Sequence, residues 1–479
     1  MIFRRRGYGS LLHLVPFGLA AILGCGDTGG SDDATVRISL WTQAAWLGVT
    51  GHELDGLALD DPRRANHAYS DWYVKTGRDF NDLHPEYDIQ FDIEILDWQS
   101  GYQKLDIAVA SGLPPDIMIS TSGIPLKYAP FGLLESFDDF IGQEDIDDFG
   151  PFYKFSEYKG RHYFLPFIGG SCYLIANRNI FRERGVEHLL PVGGDRLWTF
   201  DQFLDAARAT TFDRDGDGDI DVYGFAMPIQ RNAPEQQQMP FFWGHGAFMF
   251  NPEGDSVTVN TEAGVEALQF MVDMEHRHRV VPPGSTGLRG TDVADMWNLG
   301  QVAMKMGHNG SMIAHQLALQ SGAIEPGVID LYPMMYPSKP GVTPHIFVVA
   351  DSPCVFVQSD SLKRRLVMEF VHFMTDTERE RQVAYALSTL PTRQSALDVW
   401  SDDPFHQYVL QLSKYGIKDA IQGFNIPLRN MIRSAIQAAV SRQLTPSQAL
   451  EDLTRRGNRY IVRDIARRQR ARGLAGVSQ

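Results

Sequence analysis

The stretch Tyr158-Lys-Gly-Arg-His-Tyr-Phe-Leu-Pro-Phe-Ile-Gly-Gly170 runs directly into Ser171-Cys-Tyr-Leu-Ile-Ala-Asn-Arg-Asn-Ile-Phe-Arg182. Gly160 suits a tight turn, and Tyr163, Phe164 and Leu165 begin an extended run. Pro166 and Gly169-Gly170 interrupt that run. Cys172, Leu174 and Ala176 then alternate with Tyr173 and Ile175 as a strand does, and a helix follows from Ile180. A strand interrupted by Pro and Gly-Gly sits poorly inside one sheet. Two readings fit these residues: a chain leaving one lobe through a hinge to enter a second, or a plain edge strand with a bulge.

Working outward on the amino side, Val36, Ile38 and Leu40 alternate with polar neighbours as a strand. Trp72, Thr76, Phe80 and Leu83 share a helical face, and Pro85 ends that helix. Ile89, Phe91, Ile93 and Ile95 alternate as a second strand. Tyr102, Leu105 and Val109 mark a helix closed by Gly112, and residues 115–119 form a third strand. This order implies parallel β/α/β units with right-handed crossovers. Ligands bind beyond the carboxyl ends of such strands, which brings Trp41 and residues 120–122 to a pocket mouth. The long connection 42–62, with Trp46, His52, Glu53 and Asp55, lies at that edge too.

On the carboxyl side, Thr199 and Gln202 form a capping-box pattern opening a helix. That helix runs into Asp213-Arg-Asp-Gly-Asp-Gly-Asp-Ile-Asp221. Counted from Asp213, carboxylates fall at positions 1, 3, 5, 7 and 9, with Gly218 at 6, as in the first nine positions of an EF-hand loop. Position 12 is Gly224, where the EF-hand has its bidentate Glu, so the last ligand would come from elsewhere. Asp213, Asp215, Asp217, Asp219 and Asp221 repel one another without a cation, and we expect a structural Ca²⁺ there. Phe241-Phe-Trp243-Gly-His-Gly246 sets aromatics beside glycines, and an exposed Trp243 would offer a flat apolar face to a sugar ring. Farther on, 332–336, 346–350 and 355–358 look extended. Amphipathic helices follow from Leu362 and Arg379, and Thr445-Pro446 matches an N-cap with Pro at the first helical position.

The ends and the bulk properties limit the function classes. The chain has 479 residues with formal charge −15, and removal of the segment carrying Arg4, Arg5 and Arg6 would make it more negative. An acidic body excludes nucleic acid as the main partner. An Arg-rich tail runs from Arg455 to Arg472 and reads as a solvated amphipathic helix. Residues 1–24 read as a signal peptide: a basic start, then the apolar run 11–23, too short to span a bilayer comfortably. The run ends Ile22-Leu-Gly-Cys25, which resembles a lipobox, with Cys25 the lipidated residue. Residues 25–34 read as a tether. In an exported setting Cys172 and Cys354 could pair, but two buried free thiols are the more economical expectation.

Seven motifs in order carry a resemblance across nearly the whole mature chain. They are residues 80–89 at a helix-to-strand junction; Ala108-Val-Ala-Ser-Gly-Leu-Pro-Pro-Asp116, similar to A-S-G-x-x-P-D; residues 158–181, similar to Y-x-G-K-x-Y-x-L-P followed by Y-N-x-x-x-F; residues 213–225, similar to D-x-D-G-D-G-x-x-D-x-Y-G-F; residues 242–246; Gly300-Gln-Val-Ala-Met304; and Leu390-Pro-Thr-Arg393. Together they resemble the extracellular solute-binding proteins of ABC transporters, of the sugar-binding type related to maltose-binding protein. The resemblance implies an α/β, two-lobed periplasmic-binding-protein-like fold with hinge crossings, a sugar in the cleft, hinge closure, no catalysis and delivery to a permease. It favours the hinge reading of residues 158–182. By position it implies that Trp41, Asp116, Tyr173, Trp243 and Asn309 line or border the cleft. The expected organisation is a first lobe at 35–165, a second at 166–340, a return to the first at 341–400, and C-terminal helices with the Arg-rich tail at 401–479. A lipid-anchored, extracytoplasmic monomer is expected. The rival reading is an exported carbohydrate-active hydrolase or lyase using carboxylates such as Glu53, Asp55 and Asp97, and a third is a calcium-stabilised surface lectin.

Overall fold

A computed structural model of the chain describes residues 35–43, 68–96, 101–121, 125–230, 233–308, 310–417 and 426–474. The expected signal peptide, Cys25, the tether, most of the 42–62 connection, Asp97 and Asn309 lie outside the described residues.

The chain begins with β1 (Val36–Gln43), α1 (Ala68–Asp82), β2 (Ile89–Leu96), α2 (Gly101–Ala110) and β3 (Ile117–Thr121). Strand β1 lies between β2 and β3 and is parallel to both, as successive right-handed β/α/β crossovers require. Both faces of this sheet are covered. Ile38, Leu40, Ile117 and Ile119 join one core with Tyr73 and Phe80 of α1. Leu96 and Met118 point the other way, into a smaller core with Leu105 of α2. After α3 (Gln143–Phe149), β4 (Glu157–Tyr158) and β5 (Arg161–His162) form a hairpin. Its turn places Lys159 and Gly160 at positive φ, 54° and 76°, the pairing a two-residue hairpin needs.

Next comes β6 (Ile168–Asn177), ten residues, every one buried. The structure decides between the two readings of this stretch. Strand β6 has neighbours along both edges, so it is not an edge strand. The glycine pair lies inside the strand rather than interrupting it, which corrects the expectation of a broken run. The physical reason is close approach. A Cβ on Gly169 would stand 2.7 Å from the backbone oxygen of Leu390, and one on Gly170 would meet Val349 at 3.1 Å.

The second lobe follows with α4 (Arg178–Glu183), α5 (Phe200–Ala209), α6 (Pro234–Gln237), α7 (Met239–Gly244), α8 (Glu262–His276), α9 (Gly290–Asn298), β7 (Met304–His308), α10 (Ser311–Gln320) and β8 (Leu331–Met334). The expected capping box at α5 is present, with Thr199 and Gln202 bonding reciprocally. The chain then turns back through β9 (Ile346–Val355), α11 (Ser361–Met374), α12 (Thr377–Leu387) and β10 (Leu390–Pro391). Last come α13 (Pro404–Leu412), β11 (Gly416–Ile417), α14 (Ile426–Val440) and α15 (Pro446–Leu474). Thr445 and Gln448 cap α15 reciprocally.

Strand β9 is also ten residues long and wholly buried. Its first half runs antiparallel to β6 (Val348 opposite Ser171), and its second half runs antiparallel to β3 (Cys354 opposite Met118). The carboxyl half of β6 pairs with β7 and β8. Two buried antiparallel strands therefore pass through both lobes. The first-lobe core combines residues 36–168 with Val355 and residues 366–387. The second-lobe core takes in Cys172 to Ala350 together with Phe405–Leu412 of α13 and apolar residues of α14 and α15. The tail helices thus pack on the second lobe. Cys172 and Cys354 are both buried and are not joined to each other, and burial pushes the Cys354 thiol up to about 12.

Candidate functional site

Where the lobes meet, polar side chains gather at the carboxyl ends of β1 and β3. Gln43 is the last residue of β1. The Tyr102 hydroxyl and the Ser120 hydroxyl both donate to Gln43 Oε1, the latter at 2.9 Å. Thr121, ending β3, pairs with Asp351 of β9. Burial holds the Tyr102 phenol well above its ordinary value, the Asp351 charge adds to this, and Arg429 acts against it. From α14, Arg429 reaches the buried carboxylate of Glu235 in α6. Gln43 Nε2 is buried with no hydrogen-bond partner among the described residues. Native interiors rarely leave such groups unmet, so donors and acceptors here are set out for a polar ligand.

A cavity of about 230 Å³ opens in the second lobe at the carboxyl end of β7 and the amino end of α10. Lys305 and His308 of β7, Ser311 and His315 of α10, Trp297 of α9 and Gln237 of α6 stand on its wall. The Lys305 ammonium lies over the Trp297 ring, 4.9 Å from its centroid. Ser311 Oγ accepts from the His308 amide at 3.0 Å. Gln237 is 1 % exposed; its Nε2 donates to the Pro228 carbonyl, while its Oε1 has no partner among the described residues. Burial lowers the pKa of the His315 imidazole, against a weaker opposite effect of Asp330.

The residues expected at the cleft fall in different places. Trp41 is half-buried in β1, with the Lys104 ammonium over its ring at 5.0 Å. Tyr173 is fully buried, and its hydroxyl donates to the His308 carbonyl at 3.0 Å, so it braces the cavity wall from behind. Asn309 lies outside the described residues, but His308 and Ser311 on either side of it line the cavity. Two expectations are corrected. Asp116 precedes β3 at its amino end, and its carboxylate accepts from the Ser39 amide (2.7 Å) and hydroxyl (3.0 Å) and pairs with Lys363 (2.9 Å). Those groups occupy it in the fold. Trp243 is 1 % exposed in α7, inside the second-lobe core, because the segment beside the glycines is a buried helix rather than an open loop. Gln43, Tyr102 and Arg429 at the lobe junction, and Gln237 in the second-lobe cavity, had no local signal in the sequence, since segments distant along the chain bring their surroundings together.

The acidic loop 213–221 is closed by pairing of Phe212 with Val222. Asp213, Asp215 and Asp221 each present a carboxylate oxygen within 4.8 Å of the others, whereas Asp217 and Asp219 do not join them. Asp213 accepts from the Gly218 and Gly216 amides, and this holds its carboxyl below the usual range. Gly216 and Gly218 stand at φ 84° and 101°, which lets the backbone fold over the carboxylates. Three convergent carboxylates fit a hard divalent cation, with further oxygens needed to complete six to eight ligands.

A family model described as bacterial extracellular solute-binding protein matches residues 66–380, and the chain belongs to this family. A maltotriose-binding protein of Pyrococcus abyssi is 25% identical over 185 residues, 38% of this chain and 36% of that relative. The match thus spans about a third of the relative's length. Among solved structures, the maltose/maltodextrin-binding domain of Bdellovibrio bacteriovorus bound to maltotriose superposes with TM-score 0.68 at 16% identity, over 89% of this chain and 100% of that one. The Thermus thermophilus maltotriose-binding protein bound with maltotriose gives 0.64 at 18%, over 88% and 100%. These likenesses establish the fold: two α/β lobes of the periplasmic-binding-protein type.

Proposed function

We propose that the protein is a carbohydrate receptor that closes its two lobes on a sugar and hands it to the permease of an ABC transporter. The observation that carries this reading is the buried polar cluster at the lobe junction, where Gln43 Nε2 lacks a partner among the described residues beside Ser120 and Tyr102, within reach of the Asp351 and Arg429 charges. A ligand rich in hydroxyls can donate and accept at once, and so can meet amides that lack partners. The maltotriose-binding relative points the same way. A lipid on Cys25 would hold the receptor on the outer face of the membrane. Asp213, Asp215 and Asp221 would hold a Ca²⁺ that ties the loop after α5, a structural role away from the lobe junction.

Thermal unfolding of the mature protein against a panel of sugars tests the reading. A ligand that binds only the folded state stabilises it by mass action, by about 2.7 kcal/mol at a hundredfold excess over Kd, and so raises the melting temperature. We expect one sugar class to shift the transition and to be recovered unchanged. A flat response to the whole panel, or turnover of the sugar, would overturn it, turnover pointing instead to a hydrolase or lyase.

A further inference from the structure

The last helix carries a charge pattern at odds with the rest of the molecule. The chain has formal charge −15, yet α15 holds eight Arg against three acids, Glu451, Asp452 and Asp464. Its inner face is fixed. Leu450, Leu453 and Ile461 are buried in the second-lobe core, and a Cβ on Gly457 would stand 2.7 Å from the Val257 side chain. Asn458 accepts from the Val257 amide at 2.6 Å and donates to the Val257 carbonyl at 3.1 Å. That docking sets the outer face. Arg455, Arg459, Arg463 and Arg467 recur at every fourth position and are all exposed, so they form one ridge with about 6 Å between successive members. Asp452 holds Arg455 and the neighbouring Arg456, and the buried Asp464 holds Arg467 at 2.7 Å. Arg459 and Arg463, at the middle of the ridge, form no ion pair among the described residues.

A basic ridge alone is ordinarily a solvated face. Two aliphatic side chains beside it ask for more than water. Val462 is 66 % exposed and Ile465 41 %, and, three residues apart on the helix, they flank the arginines on one side. Arginines and aliphatics together on the outer face of a helix suit a bilayer interface, where guanidinium groups bind headgroup phosphates and aliphatics reach the acyl boundary. Phosphates alone would satisfy the arginines. The aliphatic pair adds a need for hydrocarbon, which a nucleic acid does not meet and a lipid does. A membrane is also close by, since the family is extracellular and a receptor that hands its cargo to a permease works at a bilayer. We propose that α15 docks on an anionic lipid surface, with Arg455, Arg459, Arg463 and Arg467 on headgroup phosphates and Val462 and Ile465 at the acyl boundary. This contact turns the outer face of the second lobe toward the bilayer. The proposal rests on the extracytoplasmic, membrane-side reading and not on which solute is bound.

Co-sedimentation with vesicles tests it, using the mature protein from residue 26, which has no acylated cysteine. We expect binding to vesicles of phosphatidylglycerol and phosphatidylcholine in equal parts at about 50 mM salt, and release at about 500 mM, where exposed charges are screened. Binding to phosphatidylcholine alone should be tenfold weaker or more. Arg459→Glu with Arg463→Glu should weaken binding to the anionic vesicles at least tenfold, and Val462→Asn with Ile465→Asn several-fold. These positions are exposed, and thermal unfolding checks that each variant stays folded. Lys75→Glu with Arg78→Glu, an equal charge change on the exposed side of α1 in the first lobe, should leave binding within twofold. No binding to anionic vesicles at low salt, binding that the ridge variant retains, or an equal loss in the first-lobe variant overturns the proposal. Binding of RNA or polyglutamate, or self-association sensitive to salt, with no vesicle binding also overturns it and makes the ridge a site for another polyanion. No sugar enters the measurement, so its failure leaves the carbohydrate reading standing.

Discussion

Two buried carboxylates have opposite chemistry. Glu380 accepts from the Thr392 amide (2.7 Å), the Thr392 hydroxyl (2.6 Å) and the Arg393 amide (2.8 Å). Those bonds favour its ionised form, but burial outweighs them and pushes its pKa up to about 8. In the unfolded chain a Glu ionises near pH 4.3. The folded state therefore keeps a proton that the unfolded state loses, and this stabilisation is complete below about pH 4 and is lost as pH rises through 8. The melting temperature should fall from pH 5 to pH 9, and Glu380→Gln should flatten that fall; an unchanged slope in the variant would show that Glu380 ionises normally. Asp116 acts as a tie. Asp116→Ala leaves the Ser39 amide and Lys363 without their acceptor and should cost about 2 kcal/mol, less than a fully buried pair because Lys363 is partly exposed. Chemical denaturation reads the loss. Sugar affinity measured by calorimetry should stay within twofold, whereas a ligand contact would show a tenfold loss.

At the scale of elements, the crossing of β6 with β9 and β10 depends on backbones meeting without side chains between them. Gly169→Ala sets a methyl 2.7 Å from the Leu390 carbonyl and should destabilise by roughly 1–3 kcal/mol, the usual cost of overpacking. Gly160→Ala, at an open turn with φ 76°, should cost less, since only backbone strain opposes it. Denaturant midpoints compare the two, and equal losses would mean that β10 can shift aside. The loop 213–221 gives an element-scale test of the cation. With Ca²⁺ at a hundredfold excess over Kd the melting temperature should rise, by about 2.7 kcal/mol of stabilisation. Chelator should reverse the rise, and Asp213→Asn with Asp221→Asn should abolish it. A wild type indifferent to chelator would mean that the backbone amides already satisfy these carboxylates.

For the whole molecule, the topology sets where motion can occur. Strands β6 and β9 run through both lobes, and β10 joins them at Gly169. One further link crosses beside them. Ser388, after first-lobe helix α12, lies 2.7 Å from His406 Nε2 of α13, which packs in the second-lobe core. The proposed closure must bend at these crossings, since each lobe has its own packed core. Small-angle scattering should show the radius of gyration falling when a ligand from the sugar panel is added, with secondary structure by circular dichroism unchanged. A constant radius at saturating ligand would mean that binding does not close the lobes.

Local chemistry in the sequence was enough for the parallel β1–β3 units, the caps of α5 and α15, the Lys159-Gly160 turn and the convergence of Asp213, Asp215 and Asp221. Periodicity, cap residues and carboxylate spacing act over a few residues, so one sequence displays them. The glycines at 169 and 170 pointed to an unusual strand, but only the tertiary structure showed that β10 and β9 lie against them. Trp243 and Asp116 were misread for the same reason. Whether an aromatic meets solvent or core, and whether a carboxylate meets a ligand or Lys363, depends on residues more than a hundred positions away. The lobe junction is the extreme case: Gln43, Tyr102, Glu235, Asp351 and Arg429 come from five separate segments, and only folding gives them a common environment.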